Sequence, residues 1–421
     1  MRILFLSHSH PDLQAGGTEI FSLDLFRELR SRDRVMGIYL AGTSAGQRSI
    51  APGTAFQAVG TASDELLLWT AGFDSFYLSQ TDLHGVIPEF ASLLRKLRPD
   101  VVHVHHTLQL GMELVTLIKR VLPGTQIVMT LHDFYAICAN DGQMHTTADL
   151  PCSKASVDAC HRCFADRPAT DFRLREVHIR GALRAVDRFI SPSDFLRDRF
   201  VSWGIAPDQI EVIRNGSPPR PAAPARQTPD GRRDHFGFFG HINRFKGATV
   251  ALDASARLSR SGVVHQISLH GSSAYQTQET LDLFGRSLDA APDAIHRGAY
   301  VRDEQARLIA DVDWVIVPSV WWENAPLVIQ EAFAHGRPVI CSDVGGMAES
   351  VRDNIDGLHF RRGDPRSLAQ TMQRAIEQPG LWQRLVDGIR PTRTIQDAAD
   401  EHLALYKSLI SAAATPRWSA A

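Results

Sequence analysis

The sequence predicts an α/β protein built from two doubly wound parallel-sheet domains in tandem. Three observations carry this: short apolar strand-like runs alternate with helical stretches in both halves, the pattern restarts after a proline-rich interruption, and the length exceeds one ordinary domain. The chain has 421 residues, 44% of them hydrophobic, enough for two cores of typical size. Alternating strands and helices imply parallel sheets covered on both faces.

RILFLSH, at the N-terminus, reads as a buried first strand. Its apolar run is too short for a signal peptide and turns polar at once. DLQAGGTE follows, then a helix in which Phe21, Leu25, Phe26 and Leu29 share a face. PDVVHVHH, QIVMTLHD and DRFISPSD are further strands, the last with Ser193 or Asp194 available to cap the next helix. SPPRPAAPARQTPDGRRD, Ser217 to Asp234, lacks apolar periodicity and reads as a linker. FGFFGHINRFKG restarts the pattern, followed by the helical TVALDASARL and the strands HQISLHGS, DWVIVPS and RPVICSD. IQDAADEHLALYKSLI places Leu403, Tyr406 and Ile410 at helical spacing, and AAATPRWSAA reads as a frayed end. The expected division is a first domain 1–210 with a cysteine-rich insertion near 138–165, a second domain 211–385, and a tail 386–421 whose helix returns to the first domain.

The formal net charge is −2, which gives no overall basic field for nucleic acid or anionic membranes. No run approaches the roughly 20 apolar residues that span a bilayer. A soluble, cytoplasmic protein is the expectation. The basic stretch DFRLREVHIRGALR, Asp171 to Arg184, reads as a solvated helix, with peripheral membrane docking as its alternative.

Open parallel sheets bind ligands beyond the carboxyl ends of their strands, and four loops occupy such places. Gly16 and Gly17 allow close backbone approach before a helix N-terminus that suits an anion; a plain turn is the alternative. His132 ends a buried strand beside Asp133, where it bonds a ligand or serves as a structural histidine. Gly240, His241, Arg244 and Lys246 lie in a glycine-bounded loop whose cations fit a diphosphate, although the spacing is not that of a Walker loop. Lastly, WWENAPLVIQEAFAHGRP puts Glu323 before a helix start at Asn324 or Pro326, and Glu331 one to two turns inside it.

This ordered set resembles the retaining GT-B glycosyltransferases of the large family 4 type. E-N-A-P-L-V-I-Q-E matches their E-x7-E signature, and GG, HD, GHINRFKG, VPS, EAFAHGRPVICSDVGG and NIDGLHF follow the family order along nearly the whole chain. The resemblance implies two Rossmann-like domains facing a central cleft, with a nucleotide-sugar donor bound mainly by the second. Glu331 would accept bonds from the ribose, Glu323 would meet the transferred sugar, and the backbone of Asn324, Ala325, Pro326, Leu327 and Val328 would hold sugar and diphosphate. Lys246, with Arg244, Gly240 and His241 in the same loop, would neutralise the leaving diphosphate, and Gly16, Gly17 and His132 would close over it, His132 and Glu323 being the catalytic candidates. It further implies retention at the anomeric carbon, transfer to a hydroxyl of a glycan or lipid-linked acceptor, a role in surface polysaccharide or glycoconjugate synthesis, and no catalytic metal. Two positions depart from the family: His241 stands where Arg is usual, and Pro326 where Gly is frequent, removing one backbone donor.

Other features compete. Glu323 and Glu331 as the acid and nucleophile of a glycoside hydrolase would have to face one bond at about 5–9.5 Å, which a loop residue and a helical one do not obviously do. A non-catalytic nucleotide-sugar-binding protein is the plainer rival. Asp311-Val312-Asp313 imitates a metal-binding DxD but precedes a buried strand, and His103 and His105 share one side of a strand, where packing or acceptor contact is favoured over metal. Cys138, Cys152, Cys160 and Cys163, spaced C-x13-C-x7-C-x2-C, predict a structural zinc site, with disulfides and unlinked thiols as alternatives and His161 as a substitute ligand.

Overall fold

The computed structural model describes residues 1–32, 34–44, 46–47, 54–61, 63–148, 150–219, 223–228, 231–274 and 276–414. The frayed ending expected for the last residues lies, from 415 onward, outside the described residues. The chain divides into two compact units: Met1–Pro218 with Thr394–Ala421, and Pro219–Arg393.

The first unit contains β1 (Arg2–Ser7), β2 (Met36–Thr43), β3 (Phe56–Ala58), β4 (Glu65–Trp69), β5 (Phe73–Asp74), β6 (Ser79–Gln80), β7 (Val101–Val104), β8 (Gln126–Thr130), β9 (Arg188–Ser191) and β10 (Ile210–Val212). Eight of them form a sheet in the order β10-β9-β8-β7-β1-β2-β4-β3, parallel except for the β3–β4 pair, while β5 and β6 pair separately. The central strands are apolar on both faces because helices cover both; Ile3, Leu4, Phe5 and Leu6 are each at most 1% exposed. The strand order reverses between β7 and β1, so the loops leaving these two strands border the crevice.

One face of this sheet packs on the helices Gly17–Arg30 and Ile395–Ala414. Phe21, Leu25, Phe26 and Leu29 of the first meet Ile395, Ala398, Ala399, Leu405 and Tyr406 of the second in one core. Ser193 caps the helix Asp194–Trp203, its side chain accepting from the Leu196 amide.

The second unit contains β11 (His235–Phe239), β12 (Gln266–His270), β13 (Ala294–Gly298), β14 (Trp314–Val317), β15 (Val339–Ser342) and β16 (Gly357–Phe360). They form one all-parallel sheet, ordered β13-β12-β11-β14-β15-β16. Its order reverses between β11 and β14. The helices Ala248–Arg260, Pro365–Glu377 and Leu381–Gly388 cover one face, and Gln305–Ala310 and Leu327–Ala334 pack on the other.

The division falls at 218 and 393, not at the expected 210 and 385. Packing explains both shifts. β10 is still a strand of the first sheet, and Ser217 bridges to Thr394 in the same unit. On the far side, Leu381, Trp382 and Leu385 belong to the second unit's core.

Candidate active site

The two loops at the second unit's reversal point are tied to each other. After β11, the Asn243 side chain accepts from the amides of Phe245 and Lys246, both at 2.9 Å, and so shapes the turn. Gly247 then starts the helix with φ +73°. A Cβ there would stand 1.9 Å from the Pro318 carbonyl oxygen, so only glycine lets the two loops touch. The Val320 amide donates to the Phe245 carbonyl at 2.8 Å, and the Phe245 and Trp321 rings stack 5.5 Å apart.

This contact brings Lys246 to Glu323. The ammonium lies 2.7 Å from Oε1 of the carboxylate, and the same oxygen accepts from the Ser319 hydroxyl at 2.7 Å and the Trp321 indole N–H at 2.8 Å. Glu323 is 7% exposed. Burial by itself would raise its pKa, but the Lys246 charge and the three donors together hold it below the usual carboxylate range. It is therefore a fixed anion, with all three of these contacts on one oxygen.

Glu331 sits on the helix Leu327–Ala334, which Pro326 precedes in extended conformation. Its Oε2 accepts from the Gln305 amide at 2.6 Å. The two glutamates are thus held by different partners on different elements. The Gly346 amide donates to the Glu323 carbonyl at 2.6 Å, and a Cβ on Gly346 would meet the Asn324 carbonyl at 1.9 Å, which fixes the start of the motif. Of the remaining predicted residues, His241 and Arg244 are exposed, with the Arg244 guanidinium 5.2 Å from the Phe245 ring centroid.

In the first unit, Gly16 precedes the helix Gly17–Arg30 in extended conformation, and a Cβ there would lie 2.5 Å from the Glu19 carboxylate. Glu19 pairs with His8 at 2.8 Å, the His8 and His106 rings lie 4.5 Å apart, and His106 pairs with Asp133 at 2.7 Å. The Leu108 amide donates to His106 Nδ1, so the proton sits on Nε2 and is donated to Asp133. His132 bonds His105 at 2.9 Å between ring nitrogens. Loss of hydration pushes the His132 pKa down to about 3, so it is a neutral hydrogen-bonding group near neutral pH and not a proton acceptor tuned to it. Sequence reading named Gly16, His132, Lys246, Glu323 and Glu331. It missed Glu19, His8, His106, Ser319 and Gln305, whose signals are single polar residues in otherwise ordinary runs.

The decoys resolve as structure. Asp313 is fully buried and accepts from Arg226 and Arg233 and from the His235 amide. His103 is clasped between Thr130 at 2.7 Å and Tyr406 at 2.6 Å. Cys138, Cys152, Cys160 and Cys163 are free thiols. Among the described residues no group of three or more His, Cys, Asp or Glu is placed to hold a metal ion. The structural zinc expected from the cysteine spacing stays a proposal, and the thiols lie near enough for Cys160 to feel the charges of Cys138, Cys152 and Cys163. Cys138 and Cys152 face the carbonyls of Asn140 and Lys154, burial raises the pKa of Cys138, Cys152 and Cys160, and His161 bonds the Arg167 carbonyl. No helix among the described residues is long and apolar enough to cross a membrane.

Residues 15–219 match the family described as Glycosyltransferase Family 4, and residues 233–378 match the Glycosyl transferases group 1. A D-inositol 3-phosphate glycosyltransferase of Frankia alni is 24% identical over 400 residues, covering 89% of this chain and 89% of that protein. Its namesake in Corynebacterium diphtheriae is 25% identical over 421 residues, covering 91% and 88%. Among solved structures, sucrose-phosphate synthase from Thermosynechococcus elongatus has a TM-score of 0.73 at 18% identity, covering 98% of this chain and 100% of that one. Anabaena Alr3699/HepE in complex with UDP and glucose has a TM-score of 0.68 at 17% identity, covering 97% and 100%. The family matches take in most of both units, and the structural neighbours share their fold. The chain belongs to the GT-B glycosyltransferases of the family 4 type.

Proposed function

We propose that the protein is a retaining glycosyltransferase that moves a sugar from a nucleotide-diphosphate donor to a hydroxyl of a glycan or lipid-linked acceptor. The observation that carries this reading is the convergence of Lys246, Ser319 and Trp321 on one oxygen of Glu323 at the second unit's reversal point. A fixed carboxylate beside a cation suits a reaction in which positive charge grows on the sugar and negative charge on the departing diphosphate. Glu323 reads the transferred sugar, Lys246 with Arg244 takes the diphosphate, and Glu331, held by Gln305, takes the ribose hydroxyls. Gly240, His241 and the Asn324–Val328 backbone complete the donor contacts. In the first unit the same reading gives Gly16 and Gly17 to the diphosphate and His132 to a neutral hydrogen bond with the sugar.

The acceptor hydroxyl loses its proton to the departing phosphate, so the reaction needs neither a protein base nor a metal. A uridine diphosphate donor is favoured because the neighbouring Alr3699/HepE structure is a complex with UDP and glucose. The acceptor belongs to surface polysaccharide or glycoconjugate synthesis at the cytoplasmic face of a membrane. Thermal-shift screening with UDP-, GDP- and ADP-sugars tests the donor, and the anomeric proton coupling of the product tests retention. Absence of stabilisation by any nucleotide sugar would overturn the reading. Stabilisation with neither transfer nor slow donor hydrolysis would leave a binding protein instead.

A further inference from the structure

Small lobes without a hydrophobic core are usually held by a metal or by disulfides. The segment between β8 and the helix Ala169–Leu183 contains such a lobe. From 146 to 171 none of the described residues is buried, and the short helix Val157–Cys163 has no buried side chain. Backbone contacts nevertheless fold the lobe onto itself. The Cys152 amide donates to the Met144 carbonyl at 2.7 Å, beside the bridge of His145 to Pro151, which returns Cys152 toward the turn after Cys138. The Thr147 hydroxyl donates to the Cys163 carbonyl at 3.0 Å and ties this hairpin to the end of the helix. Ser156 caps the helix start, its side chain accepting from the Ala159 amide.

These ties gather four of the chain's five cysteines. Cys160 and Cys163 share one helix face, three residues apart, and Cys160 feels the charges of all three others. At Cys138 and Cys152 the chain curls round the sulfur: Sγ stands 3.9 Å from the Asn140 carbonyl oxygen and 3.5 Å from that of Lys154. Cys341, the fifth, is buried in β15 of the second unit. Cations border the group. Arg175, 4% exposed, donates to the carbonyls of Tyr135 and Ala136 and feels the charges of Cys138 and Cys160. Arg199 donates to the Ser153 carbonyl at 2.7 Å and lies near Cys152. Four thiolates round a divalent metal keep about two negative charges, which these two guanidiniums are placed to offset.

We propose that Cys138, Cys152, Cys160 and Cys163 close on one zinc ion as a structural, all-sulfur centre. No group of three among the described residues already has bonding geometry, so binding draws the sulfurs together by turning side chains that no core pins. Each thiol gives up its proton to solvent as it binds. His161 stays outside: its Nδ1–H donates to the Arg167 carbonyl at 2.9 Å. Four sulfurs fill a tetrahedral shell and leave no position for substrate, so the metal takes no part in sugar transfer. Its reach is toward the strand end before it. The Cys138 amide donates to the Phe134 carbonyl at 2.7 Å, so fixing Cys138 also fixes the turn that follows His132 and Asp133. The centre itself does not depend on the role proposed above for His132.

Metal analysis of the full chain, purified under reducing conditions, tests the site. About one zinc per chain should be found, and Co²⁺ exchanged into the protein should give thiolate charge-transfer bands and a tetrahedral spectrum. Cys160→Ser/Cys163→Ser should lose the metal, whereas Cys341→Ser and His161→Ala should keep it. Chelation should open residues 138–165 to limited proteolysis, and added zinc should restore protection. The Co²⁺ spectrum needs no variant, so misfolding of the serine variant leaves the test intact. Far less than one zinc per chain with no uptake of Co²⁺, or full zinc kept by the double serine variant, overturns the site. Disulfides among these four cysteines that persist under reductant and added zinc overturn it too. A chain that holds zinc but binds no nucleotide sugar overturns the proposed function and not this centre.

Discussion

Replacing Glu331 and Glu323 separately by alanine should damage different steps. Glu331 is proposed to accept hydrogen bonds from the ribose, and bonds to a charged acceptor contribute about 1.5–3 kcal/mol. Glu331→Ala should therefore weaken UDP binding by about 10- to 150-fold. Glu323 behaves differently because its present partner is Lys246, 2.7 Å away. In Glu323→Ala the ammonium loses that carboxylate and is left to the diphosphate, so free UDP should bind as well as in the wild type or up to several-fold more tightly. Transfer should nevertheless fall by about 100-fold or more, the usual loss on removing one fixed charge from a reacting centre. Deleting the carboxylate also strands the Ser319 hydroxyl and the Trp321 N–H, at a cost of about 1–3 kcal/mol of stability, so both variants must be confirmed folded by thermal melts. Calorimetry with UDP and with UDP-glucose, followed by donor-hydrolysis rates, separates the two. Equal loss of UDP affinity in both variants would refute the assignment.

Trp321→Phe keeps the ring on Phe245 but removes one of the three donors to Glu323; transfer rate should fall about tenfold with UDP affinity unchanged, and an equal fall in UDP affinity would count against a positioning role. Gly247→Ala should abolish nucleotide binding or lower the melting temperature by several degrees, because the new Cβ would meet the Pro318 carbonyl at 1.9 Å; unchanged calorimetry and melting would contradict the loop contact. Melting temperature should also fall as the pH drops below about 6.5. His103, His105 and His132 have lowered pKa values and stay neutral in the fold, while the unfolded chain takes up protons. Stability carried by these groups is thus complete above the unfolded histidine pKa and is lost below it, down through the folded value of about 3 for His132. His132→Gln should flatten that slope, and an identical slope would show that His132 contributes nothing to it.

Much of the fold was legible because buried parallel strands announce themselves. Ile3 to Leu6 and Val315 to Val317 are unbroken apolar runs, Val101 to Val104 is broken only by His103, and each is a strand. β13 was not legible, since AIHRG at a sheet edge carries as many polar as apolar side chains and none of them is buried, Ile295 and Arg297 being exposed. At the site, Lys246, Glu323 and Glu331 stood out through glycine boundaries and a helix start. Their partners did not, because Lys246 is 77 residues from Glu323 and Gln305 is 26 from Glu331. Spacing rules reach about one helical turn; contacts made by strand order lie beyond them.

The return of the final helix to the first unit governs the order of assembly. Residues 219–393 form an uninterrupted stretch that can fold as soon as it has been synthesised. The first unit is split, and its core is completed by Ile395, Ala398, Leu405 and Tyr406, which emerge last. Its two segments are joined where Ser217 bridges Thr394, with Gly216 so close that a Cβ would stand 2.0 Å from the Thr394 carbonyl. During synthesis, the surface of Phe21, Leu25 and Phe26 therefore waits uncovered while the later unit matures. A stop codon near position 394 would leave a finished second unit attached to a first unit with no lid on its core, prone to aggregation although every strand of both sheets is present.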